Sequence, residues 1–329
     1  MSADNGPTVD VVIVNYNGGQ YVEECLAALA KQNHKPRQVV VVDNASSDGS
    51  AKSIRDGEYP VTLLELEDNT GFAYANNRGF ELLKDPQWVA LLNPDTIPDP
   101  DWLQNLVRAI EANPGHDIYA SKLVDASNKN ILDGTGDVYH VSGLAWRRHH
   151  GIALQNADLD SYPVFTGCGA AIAYRYKSIE EVGGFDEKYF CYYEDVDLGF
   201  RVRLNGGTCV FVEDSVVFHH GSAITGKESD FAVYHGHRNL IWTFFKNMPG
   251  WRLYWYLPQH LLLNLVTLIY YTLKGRGGVI WRAKLDGFRG LPDALRQRKL
   301  IQAGKKASDD EVVQAMVRGL FKPYFSRFE

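Results

Sequence analysis

The chain has 329 residues, of which 45% are hydrophobic and 22% charged, with a formal net charge of −6; this excludes a disordered chain and gives no electrostatic case for a nucleic-acid partner. The length suits one large domain or a domain with an extension. Cys25, Cys168, Cys191 and Cys209 lack zinc-pair spacing and read as thiols in a reducing compartment, and the polar start MSADNGPTVD reads as no secretory leader.

Asp10–Asn15 is a β-branched run ending at Asn15-Tyr16-Asn17-Gly18-Gly19, after which Tyr21, Cys25, Leu26, Leu29 and Ala30 form one helical stripe. Gln38–Val42 is a second buried strand, ending in DNASSDGS. Val61–Leu66 is a third, ending in Glu67-Asp68-Asn69-Thr70-Gly71, and a helix is predicted over Phe72–Lys84. Trp88–Leu92 is the fourth strand, a continuous apolar run of the kind buried on both faces of a parallel sheet. Pro94 cannot donate to a ladder, so the strand ends there. Four strands alternating with three helices predict a doubly wound, mainly parallel α/β sheet.

The polar strand ends Asn15, Asp43, Asn69 and Asp95 then share one edge, where open α/β sheets bind ligands. Each reads singly as a cap or turn former; together they suit a nucleoside. Asp95, with Asn93 two residues before it, is a lone carboxylate suited to a hard cation carrying a phosphate, or else caps the following helix. The absence of G-x-G-x-x-G after the first strand and of G-x-x-x-x-G-K-[ST] anywhere excludes a dehydrogenase-type dinucleotide fold and a P-loop.

Asp99–Asn113 is a predicted helix. Asp117–Tyr162 holds short strand-like pieces and a basic cluster, Arg147-Arg148-His149-His150, read as a solvated loop or, more sharply, as a flap meeting an anionic substrate. Val164–Tyr174 is predicted as a strand with Gly167-Cys168-Gly169 inside it, where missing side chains permit close approach. Tyr189–Leu204 enters a helix near Glu194. Acids suit its first turn, and Asp197 and Arg201, four apart, suit a surface pair. Asp195 is left over, beside aromatics that would exclude water. Thr208–Val212 and Val216–Phe218 are predicted strands, the second leading into His219-His220-Gly221-Ser222.

Ser229–Lys246 and Trp251–Leu273 are predicted helices. The second is long enough for a membrane span, at about 20 residues, but Pro258, Gln259, His260 and Asn264 interrupt it. Lys274–Lys306 carries a net +8, leaving −14 for the rest. An aromatic, apolar helix beside a basic segment reads as lying in an anionic membrane surface; packing on the rest of the protein or a dimer contact are the alternatives.

The chain resembles the family 2 glycosyltransferases, inverting enzymes of the GT-A fold, and among them the bacterial rhamnosyltransferases of lipid-linked cell-surface polysaccharide synthesis. The resemblance rests on VVIVNYNG, VVDNASSDGS, NTGFAYANNRG, LLNPDT, GGFDEKYFCYYEDVDLGFRVRLNG, VVFHHGSAITG and Arg238-Asn239, in the family's order from about Val11 to Asn239. It implies a catalytic domain over 1–226, with the donor nucleotide and metal site at about 10–115 and the acceptor and base region at about 116–226. A helical, basic, membrane-associated extension would follow over 227–329. It implies that Asn15, Asp43, Asn69, Gly71, Asn76, Asn77 and Asn93 hold the nucleoside diphosphate and that Arg238 lies near a diphosphate. Asp95 and His219 would hold a divalent metal (Mg or Mn), and Asp195, with Glu194, would supply the base. Asn93 stands where the family has its first acid, which leaves Asp95 as the main ligand.

The implied donor is a thymidine or uridine diphosphate sugar, rhamnose first. The implied acceptor is a glycan or lipid-linked sugar, and the implied place is the cytoplasmic face of the cell membrane. One base suffices for inversion, and no second carboxylate stands out as a nucleophile for a retaining route. A sugar-phosphate nucleotidyltransferase would need a basic Gly-rich loop where NYNGGQ stands. A non-catalytic binder is permitted by Asn93 and opposed by Glu194, Asp195 and His219.

Overall fold

Unbroken runs of β-branched and aliphatic residues make the centre of the sheet. Val9–Asn15 (β1), Val39–Asp43 (β2) and Trp88–Leu92 (β4) are buried along their whole length, whereas the edge strand Thr62–Glu65 (β3) is half-exposed. The computed structural model describes residues 6–221 and 229–325. Ser222, with the end of the VVFHHGSAITG motif, and the expected boundary at 226/227 lie outside the described residues. β1 to β4 are parallel in the order β3-β2-β1-β4, joined through the helices Gly19–Ala30 (α1), Ser50–Asp56 (α2) and Phe72–Glu81 (α3). Helix α3 ends three residues before Lys84. The Leu82 and Leu83 amides close onto Gly79 and Phe80, and Asp85, which precedes a proline, leaves helical space at φ +46°.

The chain continues through Thr96–Pro98 (β5), helix Trp102–Ala112 (α4), Ile118–Asp125 (β6), Leu132–Gly134 (β7), the hairpin Asp137–Tyr139 (β8) and Ala145–Arg147 (β9), Pro163–Val164 (β10) and Ala171–Arg175 (β11). Helices Tyr176–Val182 (α5) and Glu194–Leu204 (α6) and strand Cys209–His219 (β12) follow; β8 and β9 form a two-stranded sheet of their own, and the other strands belong to the main sheet. β11 runs antiparallel between β4 and β6, which makes the sheet mixed but mostly parallel, in the order β10-β12-β6-β11-β4-β1-β2-β3.

Two expected elements change. The predicted strand Val164–Tyr174 is split into β10 and β11, because the Gly167–Gly169 stretch leaves the ladder: a Cβ at Gly167 would lie 2.7 Å from Ala120 Cβ. The two predicted strands Thr208–Val212 and Val216–Phe218 are one strand, β12, whose register against β6 shifts between Val212 and Val216.

Each sheet face carries a core. One packs Val11, Ile13 and Ala90 against α1 and α4, the other Val12, Val40 and Leu91 against α3, α5 and α6. A third core joins Tyr139, Phe165 and Phe200 to Phe244, Met248 and Leu253 of the C-terminal helices. Those helices are Asp230–Asn247 (α7), Arg252–Tyr271 (α8), Gly277–Arg289 (α9), Leu291–Gly304 (α10) and Asp309–Gln314 (α11).

Asp197 and Arg201 do pair, at 2.8 Å, but in the interior and not on the surface, with 0% and 6% of the side chains exposed. Asp197 also accepts from Lys246 Nζ at 2.8 Å and from Asn247 Nδ2 at 2.7 Å, and Lys246 reaches Asp186 at 2.7 Å. Burial alone would raise the Asp197 carboxyl, but Arg201 and Lys246 overcome it and hold it down at about 2.

Helix α8 is turned inside out. Its polar interruptions face the protein: His260 Nδ1 meets the Ser142 carbonyl at 2.8 Å and its ring stacks on Phe244, while Asn264 Oδ1 accepts from the buried Lys284 at 2.6 Å. Its outer face is apolar, with Tyr254 73% and Trp255 64% exposed. No helix among the described residues is long and apolar enough to cross a membrane, because the inward polar groups lower the mean hydropathy of the expected span.

Lys246→Met removes a buried cation from two carboxylates and is expected to cost on the order of 3 kcal/mol in urea unfolding. Because Asp197 sits at about 2 in the fold against about 3.9 unfolded, its contribution is complete above about pH 4 and is lost as pH falls toward 2. Unfolding followed over that window should show the decline in the wild type.

Candidate functional site

Beyond the carboxyl ends of β1, β2 and β4 lies a cavity of about 630 Å³, within the range of small-ligand sites. One wall is an amide lattice. Asn44 Nδ2 donates to Asn69 Oδ1 at 2.9 Å, and Asn44 Oδ1 accepts from the Thr70 amide at 2.9 Å. Gly71 follows with φ +85°, and a Cβ there would come within 2.5 Å of the Phe190 carbonyl oxygen.

The structure gathers Asn69, Gly71, Asn93, Asp95, Glu194, Asp195 and His219 around this cavity. Asn15, Asp43, Asn76, Asn77 and Arg238 are not on its wall, and each has structural partners instead. Asn15 is fully buried and donates to Asp43 Oδ1 at 2.7 Å and Ser50 Oγ at 2.9 Å, while Asp43 Oδ2 accepts from the Ser46 amide. These two shape the loop after β2 from below. Asn76 donates to the Phe72 carbonyl within α3, and Asn77 bonds both backbone groups of Phe185. Arg238 donates to the Tyr189 carbonyl at 2.8 Å and lies 4.4 Å over the Trp242 ring.

Asp95 ends up opposite His219 because β5, just after the Asn93-Pro94-Asp95 turn, pairs with the last residues of β12. Asp95 Oδ1 and His219 Nε2 are 3.4 Å apart, and His219 Nδ1 meets Asp133 Oδ2 at 2.6 Å. Asp133 also binds Arg147. Burial would raise both carboxyls; the His219 contact holds Asp95 below its ordinary value, and the charge of Arg147, then His150 and His219, does the same for Asp133. Burial would lower His219, but its two carboxylate partners raise it. No group of three or more His, Cys, Asp and Glu placed to hold a metal occurs among the described residues. Asp95 and His219 are an oxygen and a nitrogen donor side by side; an ion held between them would need its other ligands from phosphate and water, and Asp133 orients the imidazole.

The basic cluster is not a solvated loop. Arg147 lies in β9 on the cavity wall, His150 donates to the Asp133 carbonyl, and Arg148 stacks on Tyr162.

Across the cavity stands Asp195. Its Oδ2 accepts from the Gly169 amide at 2.8 Å and its Oδ1 from the Val196 amide at 2.8 Å. Burial raises this carboxyl above its ordinary value despite those bonds, and raises Glu194 further because Asp195 lies beside it. The pair is presented by a strained aromatic turn. Phe190 (φ 65°, ψ −68°) is the centre of a tight turn closed by Cys191 N to Tyr189 O at 2.8 Å, and Tyr192 and Tyr193 have φ of 66° and 69°. Such conformations cost on the order of 1–3 kcal/mol each. Asn239, fully buried in α7, offsets them by donating to the carbonyls of Tyr189, Cys191 and Tyr192 at 2.9, 3.0 and 2.7 Å.

Asp133, Asp137, Trp146 and the clamp of Asn239 are not anticipated from the sequence. The first three belong to short strands in the Asp117–Tyr162 stretch, where no periodic pattern distinguishes a wall from a loop. The adjacent glycines Gly134 and Gly136 were the available signal.

The family model for glycosyl transferase family 2 matches residues 10–183, more than half of the chain. The N-acetylglucosaminyl-diphospho-decaprenol L-rhamnosyltransferase of Mycobacterium tuberculosis is 29% identical over 247 residues, 68% of this chain and 80% of that protein. Two solved structures share the fold. S. aureus TarS 1-349 has a TM-score of 0.58 and 18% identity, covering 94% of this chain and 90% of that one. The mannosyltransferase PcManGT from Pyrobaculum calidifontis, in complex with GDP-Man and Mn2+, has a TM-score of 0.55 and 17% identity, covering 98% and 89%.

Asn239→Ala removes the side-chain donor of the Cys191 and Tyr192 carbonyls, while the Tyr189 carbonyl keeps Arg238 and the Cys191 amide. It is expected to cost on the order of 2–3 kcal/mol in denaturant unfolding and to weaken the near-ultraviolet circular dichroism of the aromatic turn, whereas the neighbouring exposed variant Phe231→Leu should change stability by less than about 0.5 kcal/mol.

Proposed function

The chain belongs to glycosyl transferase family 2 and is a glycosyltransferase, and from that premise we propose that it moves a sugar, rhamnose first, from a nucleoside diphosphate to an acceptor hydroxyl with inversion. The observation that carries the reading is one cavity with the Asp95–His219 pair on one wall and Asp195, fixed on the Gly169 amide, on another. The name of the mycobacterial relative supports rhamnose as the sugar and a diphosphate-linked polyprenol glycan as the acceptor.

In this reading the Asn44–Asn69 lattice and Gly71 seat the nucleotide. Asp95 and His219, with Asn93 beside them, hold a divalent ion, as the Mn2+ in the mannosyltransferase structure supports. When bound, the ion supplies charge neutralisation to the leaving diphosphate. Asp195 takes the proton of the acceptor hydroxyl as its oxygen bonds to the anomeric carbon and the bond to the diphosphate breaks. Its raised pKa makes it a stronger base than an ordinary aspartate, and such help contributes on the order of 10²–10⁴-fold. Glu194 lies beside it, its carboxyl pushed well above the ordinary value by burial and by the charge of Asp195. The Phe190–Tyr193 turn keeps water from the reacting carbon.

Membrane contact follows from the inverted α8. Tyr254, Trp255, Leu261, Leu265 and Ile269 are exposed on it, and Trp281, Leu285 and Phe288 are exposed on α9. A basic segment adjoins both. That combination suits a helix pair resting on an anionic cytoplasmic bilayer face.

Calorimetry with thymidine, uridine and guanosine diphosphates is expected to find metal-dependent binding of one of them. Asp95→Ala should remove the metal dependence, and Asp195→Asn should cut turnover by at least about 10²-fold with nucleotide affinity nearly unchanged; loss of affinity in Asp195→Asn would defeat the base assignment. Because Asp195 must be ionised and its pKa is raised, kcat should climb with pH along a limb centred above about 3.9. In a separate assay the protein should sediment with phosphatidylglycerol vesicles and not with phosphatidylcholine ones, and the double variant Trp255→Ser, Leu265→Ser should stay in the supernatant.

A further inference from the structure

Asp137 opens the β8–β9 hairpin, and its backbone leaves it no freedom. Its amide donates to the Thr166 carbonyl at 2.8 Å, its carbonyl accepts from Phe165, and it stands opposite Arg147 in the hairpin register. Gly136, before it, has φ +90° and no room for a Cβ against Val164. The side chain is thus fixed on the cavity wall, 6% exposed, and its Oδ1 is buried without a hydrogen-bond partner. Arg147, the nearest cation, is committed to Asp133. Two more atoms of residues lining the same cavity share this condition: Glu194 Oε2 and Trp146 Nε1 are buried and unpartnered.

Buried polar atoms without partners are costly and uncommon. Three on residues lining one cavity are groups that whatever fills the cavity can satisfy. Two carboxyls and an indole N–H offer acceptors and a donor, which match hydroxyl groups, since each hydroxyl both accepts and donates. The carboxyls of Asp137 and Asp195 disfavour phosphate on this side, and Trp146 adds an aromatic ring to the lining.

We propose that Asp137, with Trp146 and Glu194, forms a hydroxyl-binding subsite for a sugar ring, in which Asp137 accepts a hydrogen bond from a ring hydroxyl and so selects the sugar. This rests on the glycosyltransferase reading and names a part of its site that the metal and base residues do not cover. The ring is either the donor's or the acceptor's.

Asp137→Ala and Asp137→Asn test it by calorimetry and kinetics with thymidine diphosphate, thymidine diphosphate rhamnose and a short-chain N-acetylglucosaminyl-diphospho-polyprenol. The Ala variant should bind bare thymidine diphosphate within about twofold of wild type. If the donor's ring is held, its affinity for the sugar nucleotide falls about tenfold; if the acceptor's ring is held, donor affinity stays and the acceptor KM rises about tenfold. Asn, which keeps an acceptor oxygen, should recover part of either loss. Sugar nucleotide affinity and acceptor KM both within about twofold of wild type would overturn the proposal, as would an equal loss of bare nucleotide binding, which marks a purely structural role. Failure of the wild type to bind thymidine diphosphate rhamnose would bring down the rhamnose-donor reading itself, a result distinct from an indifferent Asp137 in an active enzyme.

Discussion

One buried carboxylate organises the molecule. Asp197 accepts from Arg201 of its own helix, from Lys246 and Asn247 of α7, and from the Tyr189 hydroxyl. A buried ion pair often fails to repay its desolvation, but here one anion is surrounded by two cations and two neutral donors. The geometry it enforces is functional. Asp195 lies two residues earlier in the same first helical turn, and Asn239 lies two turns earlier along α7. Fixing α6 against α7 therefore fixes Asp195 against the clamp that holds its aromatic surround.

Strain and support meet in the Tyr189–Tyr193 segment. Three non-glycine residues with positive φ would relax in an isolated peptide. They persist because Asn239 and Arg238 bind the carbonyls of the turn from α7 and because Gly71 lets α3 approach from the other side. The C-terminal helices are thus part of the site's foundation as well as a surface of their own.

The parallel half of the sheet was legible because its strands are uninterrupted apolar runs ended by polar residues, and the resemblance carried Asp95, His219 and Asp195 to one cavity. What was not legible follows from two kinds of ambiguity. Asn15 and Arg238 were expected at a nucleoside diphosphate, yet the Asn15 amide donates to Asp43 and Ser50 and Arg238 to the Tyr189 carbonyl, and a sequence does not say where a donor finds its partner. Asp197 and Arg201 have the spacing of a surface pair, and only the arrival of Lys246 from a helix 45 residues away buries them. Asp137 sits in a strand of three residues, too short for any periodicity to reveal which way it faces.

The clamp on the aromatic turn grips only main-chain oxygens. A carbonyl is present whatever residue carries it, so the grip of Asn239 is indifferent to the side chains at Cys191 and Tyr192. Shape and chemistry on this rim of the cavity are thereby uncoupled. Substitutions there can change the lining of the rim while the backbone path stays in place, which makes these two positions places where the cavity can vary on an unchanged scaffold.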